Sequence, residues 1–225
     1  MIKSKKQFIL IILIFCISIF LLNQKNYSYV SANGSGQGYE DPGDGKANCV
    51  STKENSIIAS YIEEGGGYFL NALSNIMIIS NRIEMSNING IDYEELEKIM
   101  DIALENIINA KATYSILIQK AQATPYNMIV ISKLKSFDYQ FFMTDYSLNN
   151  DIFKEVEGYL KSGDITGTFV RIYNSFIKIE GLLLSIKNEV SLNRVPTLAK
   201  IWEVNEDASN TLIFGQYITR IFYAL

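Results

Sequence analysis

Histidine is absent from all 225 residues and cysteine occurs twice, at Cys16 and Cys49, so the chemistry open to this chain is narrow. A His-dependent triad, an imidazole-liganded zinc or haem and a Glu-x-x-His di-iron site all need a side chain that is not there. Two cysteines thirty-three positions apart also make no thiolate metal site and no paired attachment for haem. No metal and no cofactor is expected.

Carboxylates remain. Glu63 and Glu64 stand directly before Gly65-Gly66-Gly67, with Tyr61, Tyr68 and Phe69 around them. Adjacent helical residues point about 100° apart, so the two acids cannot flank one bond as a general acid and base must. A carboxylate hydrolase is therefore the last of the readings, and a Ser-Lys nucleophile has no motif to support it. Three glycines inside a helix cost about 0.8 to 1 kcal/mol each relative to Ala, which asks for a reason. One is a hinge or bare backbone surface that takes a ligand. The other, and the expectation here, is close packing, with a Phe or Tyr from another helix filling the space at Gly65.

Two further groups of residues could serve binding. The final helix places Asn205, Ser209, Gly215, Gln216 and Thr219 on its expected inner stripe. That stripe would border a small-molecule pocket facing Gly65–Gly67, lie half exposed, or use Asn205 to fix helix register. The second group is Phe137, Tyr139, Phe141, Phe142 and Tyr146, too dense to share one helical face. Some of those rings must be exposed or cover a second surface, which makes this segment the leading protein-binding face.

The elements that must position these side chains are helices throughout. Ser51-Thr52-Lys53-Glu54 has capping-box spacing, and Ile58, Ile62, Gly65, Phe69, Ala72, Ile76, Ile79 and Ile83 then alternate steps of four and three. Asn89-Gly90 turns the chain. Asp92 caps a helix whose stripe is Tyr93, Leu96, Met100, Ala103, Ile107, Ala110, Tyr114, Leu117 and Ala121. A third helix is expected from Thr124-Pro125 to about Tyr146, and a shorter one from Asp151 to about Lys161. After Ser162-Gly163-Asp164, the residues Phe169, Ile172, Phe176, Ile179, Leu183, Ile186 and Val190 repeat the pattern in a helix that ends near Asn193. Pro196 opens the last helix, which runs to Tyr223. The sequence thus predicts an all-α fold, an antiparallel helical bundle of four long heptad-patterned helices plus one or two more, in one domain over residues 51–225.

Ahead of that domain lies an address. Lys3, Lys5 and Lys6 precede an apolar run from Phe8 to Leu22, and Val30-Ser31-Ala32 offers small residues for cleavage, the layout of a signal peptide over residues 1–32. An uncleaved anchor is the alternative, but fifteen residues at 1.5 Å rise span about 22 Å of a core roughly 30 Å thick. Phe15 before Cys16 does not fit a lipoprotein site. Residues 33–50, with five glycines and Pro42, read as a flexible arm that cannot bury enough surface to fold alone.

Cleavage would remove Lys3, Lys5, Lys6 and Lys25 and no acid, moving the formal net charge from −4 to −8. An acidic surface repels phosphate backbones, so no nucleic acid partner is expected, and membrane contact only if the leader stays attached. Cys49 would be left alone in an oxidising compartment, as a bystander or as an intermolecular disulfide that pairs the chain with itself or another protein. The sequence therefore reads as an extracytoplasmic, periplasmic or secreted, non-catalytic protein that binds another protein or itself. The alternative is a small-ligand carrier or sensor with an interhelical pocket.

Overall fold

In the computed structural model, residues 52–86, 90–123, 128–141 and 149–224 are described. They contain helices α1 (Thr52–Glu84), α2 (Tyr93–Ala123), α3 (Met128–Ser136), α4 (Asn150–Ser162), α5 (Ile165–Val190) and α6 (Leu198–Ala224). No strand occurs among them. All belong to one compact unit, Asn48–Leu225.

Local chemistry sets the helix ends. Gly90 has φ +73° and its N–H donates to Ser86 O at 2.9 Å, and Asp92 Oδ1 then accepts from Glu95 N at 3.0 Å to start α2. Asn89 of that turn and Ser51 of the expected capping box lie outside the described residues. Asn149 caps α4 by accepting from the Asp151 and Ile152 amides. At its other end Gly163, with φ +80°, donates to Leu160 O while Asp164 N reaches Tyr159 O, closing the helix in a left-handed cap. Asp164 at once opens α5, accepting from Gly167 N at 2.8 Å.

The heptad stripes are the core. Along α1, Gly65, Phe69, Ala72, Ile76, Ile79 and Ile83 are buried, and Ile62 packs against them half-buried; the Ile58 side chain lies outside the description. In α2, Leu96, Met100, Ala103, Ile107, Ala110, Tyr114, Leu117 and Ala121 are buried, as are all seven expected positions of α5 from Phe169 to Val190. Removing one such Leu or Ile side chain costs about 2 to 5 kcal/mol, which makes these stripes the chief source of stability.

Cross-helix pairs show that the neighbours run antiparallel, because one number falls as the other rises. Between α1 and α2, Arg82 forks onto Glu95 at 2.5 and 2.7 Å, while Lys120 lies over the Tyr61 ring. Between α2 and α5 the pairs are Lys111 with Glu180 and Asp101 with Lys187. Lys178 meets Asp207, and Glu189 meets Lys200, between α5 and α6. Between α6 and α1, Asn205 meets Ser80 and Trp202 meets Glu84.

Three expectations are corrected. The third helix does not run on to Tyr146: α3 stops at Ser136, Phe137 and Asp138 leave the helix, and Asp138 Oδ1 caps a new turn by accepting from Phe141 N at 2.9 Å. The last helix begins at Leu198 rather than at Pro196; Pro196 is buried in the preceding loop, and Thr197 O accepts from Lys200 N at 3.1 Å. Nor do Asn205, Ser209, Gly215, Gln216 and Thr219 form the inner stripe of α6. Ile201, Val204, Ala208, Thr211, Phe214, Tyr217, Ile218 and Ile221 do, with Thr219 exposed and the others half-buried beside them.

Candidate interaction surface

The aromatic segment after α3 separates into an anchor and an exposed ring. Tyr139 is the anchor: it is buried, its hydroxyl donates to Leu134 O at 2.9 Å, and its ring stands edge-on to Phe137 at 5.0 Å and Phe153 at 6.4 Å. The Lys161 ammonium lies 5.3 Å from the ring centroid. Burial, with the Glu157 charge adding to it, pushes the Tyr139 phenol up to about 12. Tyr139 is thus spent on holding this segment to α4, and the expectation that it meets a partner is corrected. Phe137 is half-buried against the core.

Two residues further on the geometry reverses. Phe141 is 68% exposed, more than any other large apolar side chain among the described residues. The Asp138 cap fixes its backbone, and burial of Tyr139 turns its neighbour outward. Phe142 and Tyr146 lie outside the described residues.

The glycine run is placed on α1 opposite α2. A Cβ on Gly65 would stand 2.8 Å from Tyr114 Cδ2 and Cε2 and 3.3 Å from Thr113 Cγ2, whereas Gly66 and Gly67 have open space where a Cβ would go. The Tyr114 ring continues edge-on into Phe176 at 5.2 Å and Phe169 at 6.5 Å, and Phe176 meets Phe69 at 5.1 Å. Burial raises the Tyr114 phenol well above its ordinary range. Tyr61 and Tyr68 are half-buried at the edge of this cluster, and Glu63 and Glu64 are exposed.

Asn205 is elsewhere. Its Nδ2 donates to Ser80 Oγ at 2.7 Å, and Ser80 in turn donates to Ile76 O at 2.9 Å. Ser80 is fifteen residues from Gly65 on the same helix, about 22 Å at 1.5 Å per residue. The structure therefore does not bring Asn205 and the half-buried Ser209 to the glycine run. A shallow depression by the α1–α2 turn, lined by Ile78, Arg82, Met85 and Asp92 among others, contains none of the candidate binding residues singled out from sequence. Cys49 lies outside the described residues.

Among the described residues no three of His, Cys, Asp and Glu stand close enough to hold a metal ion, and no helix is long and apolar enough to cross a membrane. The Ser80–Asn205 pair escaped the sequence analysis because each partner is an ordinary polar residue beside its own stripe. The pairing emerges only once α6 is docked on α1. No protein-family model matches the chain, and no curated protein or solved structure is significantly similar to it.

Proposed function

We propose that the chain is an exported, non-catalytic protein whose long helices α1, α2, α5 and α6 form an antiparallel four-helix bundle, and that it acts by binding another protein through the surface around Phe141. The observation that carries this reading is the contrast between Tyr139 and Phe141. One ring is buried and the other is 68% exposed two positions later on a capped turn. Exposing a Phe gives up roughly 1.5 to 3 kcal/mol of burial, and aromatic side chains are the preferred anchors of protein interfaces.

The bundle supports this role by rigidity: the backbone N–H of Asn149, the cap of α4, donates to Tyr217 Oη of α6 at 2.9 Å, and Phe153 meets the Tyr217 ring at 5.2 Å. The surface is thereby presented on a fixed platform, which lowers the ordering cost of binding. An interhelical pocket between Gly65–Gly67 and Asn205 has less support, since Asn205 of α6 meets α1 at Ser80, fifteen residues from Gly65.

The reading is tested by capture from the extracytoplasmic fraction of the native cell, with wild-type and Phe141→Ser proteins as parallel baits. A partner retained by wild type and lost from a folded Phe141→Ser variant supports it. Equal retention by both, or none by either, contradicts it.

A further inference from the structure

We infer that α3 and the turn after it, residues 128–141, form a lid on α4 that opens as one unit while the long helices stay folded. Among the described helices α3 packs on α4 and on no other. Its nine residues are too few to hold a helix alone in water, so α3 is helical only while docked. Opening therefore means undocking and melting together.

The seam between lid and α4 is apolar. Ile131 lies over the α4 cap, where a Cβ on Gly163 would stand 3.2 Å from its Cγ2, and the Tyr139 ring stands edge-on to Phe153 with the Lys161 ammonium over it. Leu134 and Tyr139 alone are buried among the described side chains of the lid, and elements with so few buried residues open at a lower free energy than the core. Tyr139 Oη donates to Leu134 O, Ser136 Oγ to Ser132 O and Phe141 N to Asp138 Oδ1. These three bonds shape the lid and do not fasten it.

The helix beneath is held differently. Arg171 of α5 forks onto Glu155 at 3.0 and 3.2 Å, Asn149 N donates to Tyr217 Oη of α6, and Tyr159 and Phe153 meet Phe214 and Tyr217 edge-on. Contacts to α5 and α6 thus keep α4 in place whether the lid is shut or open. The shut lid is the ground state and presents Phe141 as described above. When it opens, Phe153 and Leu160, both buried and two turns apart on one side of α4, lose their cover. Opening needs no partner, so the inference goes beyond the Phe141 surface and stands or falls without it.

Hydrogen exchange read by mass spectrometry on the full-length chain should find α3 amides at least about a hundredfold less protected than those of α5. Ile179→Ala, in the core of α5, weakens the bundle equally with the lid shut or open; it should speed exchange in α5 and leave α3 unchanged. In a Cys16→Ser and Cys49→Ser background, the thiol of the Leu160→Cys variant should react with a small maleimide at least about tenfold faster than that of Ile179→Cys. Equal protection of α3 and α5, exchange in α3 that rises in step with α5 in Ile179→Ala, or equal labelling of the two thiols overturns the lid while leaving the Phe141 surface unaffected. Should Ile179→Ala fail to fold, the wild-type chain in dilute urea decides: α3 rates that barely change while those of α5 climb support the lid, and rates that climb together overturn it.

Discussion

Gly65 and Tyr114 fit one another so closely that a single methyl group added to the glycine would stand 2.8 Å from two carbons of the tyrosine ring. Tyr114 is buried and cannot swing away without disturbing its edge-on contacts with Phe176 and Phe169. Gly65→Ala should therefore destabilise the protein by about 1 to 3 kcal/mol through overpacking. Gly66→Ala and Gly67→Ala, which meet open space, should each stabilise it by about 0.5 to 1 kcal/mol through helix propensity. Urea midpoints of the three variants check the opposite signs.

Asn205 and Ser80 tie α6 to α1 by a hydrogen bond between helices far apart in sequence. Ser80→Ala should cost about 1 to 2 kcal/mol because it leaves the Asn205 amide short of a partner in a half-buried site, whereas Ser80→Ala with Asn205→Leu should recover most of that loss. A double-mutant cycle gives the coupling directly, and a value near zero would remove the register role.

Burial raises the phenols of Tyr139 and Tyr114. A raised folded-state value means that the folded protein holds the proton more tightly, so this contribution is fully present below pH about 10, the ordinary phenol value, and is lost as pH rises toward the folded-state values. Stability should fall steeply above pH about 10, and Tyr139→Phe should make that fall shallower while costing about 1 kcal/mol at neutral pH for the lost bond to Leu134 O. Denaturant melts from pH 8 to about 11.5, read with phenolate absorbance, follow both effects.

The stripes of α1, α2 and α5 were legible in the sequence because strongly apolar residues hold nearly every inner position, from Phe69 to Ile83, Leu96 to Leu117 and Phe169 to Val190. The stripe of α6 was not. Ala208 and Thr211 hold two of its buried positions and carry little signal. Farther along, Phe214 and Tyr217 are covered by Tyr159 and Phe153 of α4, a neighbour that no pattern within α6 can announce.

The break after α3 was hidden for a similar reason. Phe137 and Phe141 keep helical spacing, and only the Asp138 cap shows that the chain has stopped and restarted. Density of aromatic residues did signal that some ring must be exposed. Which one depended on the pocket that takes Tyr139.

That division predicts unequal responses two residues apart. Tyr139→Ala should cost about 3 to 5 kcal/mol as a large-to-small change in the core, while Phe141→Ser should stay within about 0.5 kcal/mol of wild type as a surface substitution. Thermal melts of the two variants check the difference.

The most direct test of the binding role replaces Phe141 with a photo-reactive benzoylphenylalanine in the native cell, with the same replacement at buried Phe153 as control. Irradiation should give one dominant protein adduct from position 141 and none from position 153. No adduct from a folded, exported chain labelled at 141, or equal yields from the two positions, would contradict a partner-binding surface there.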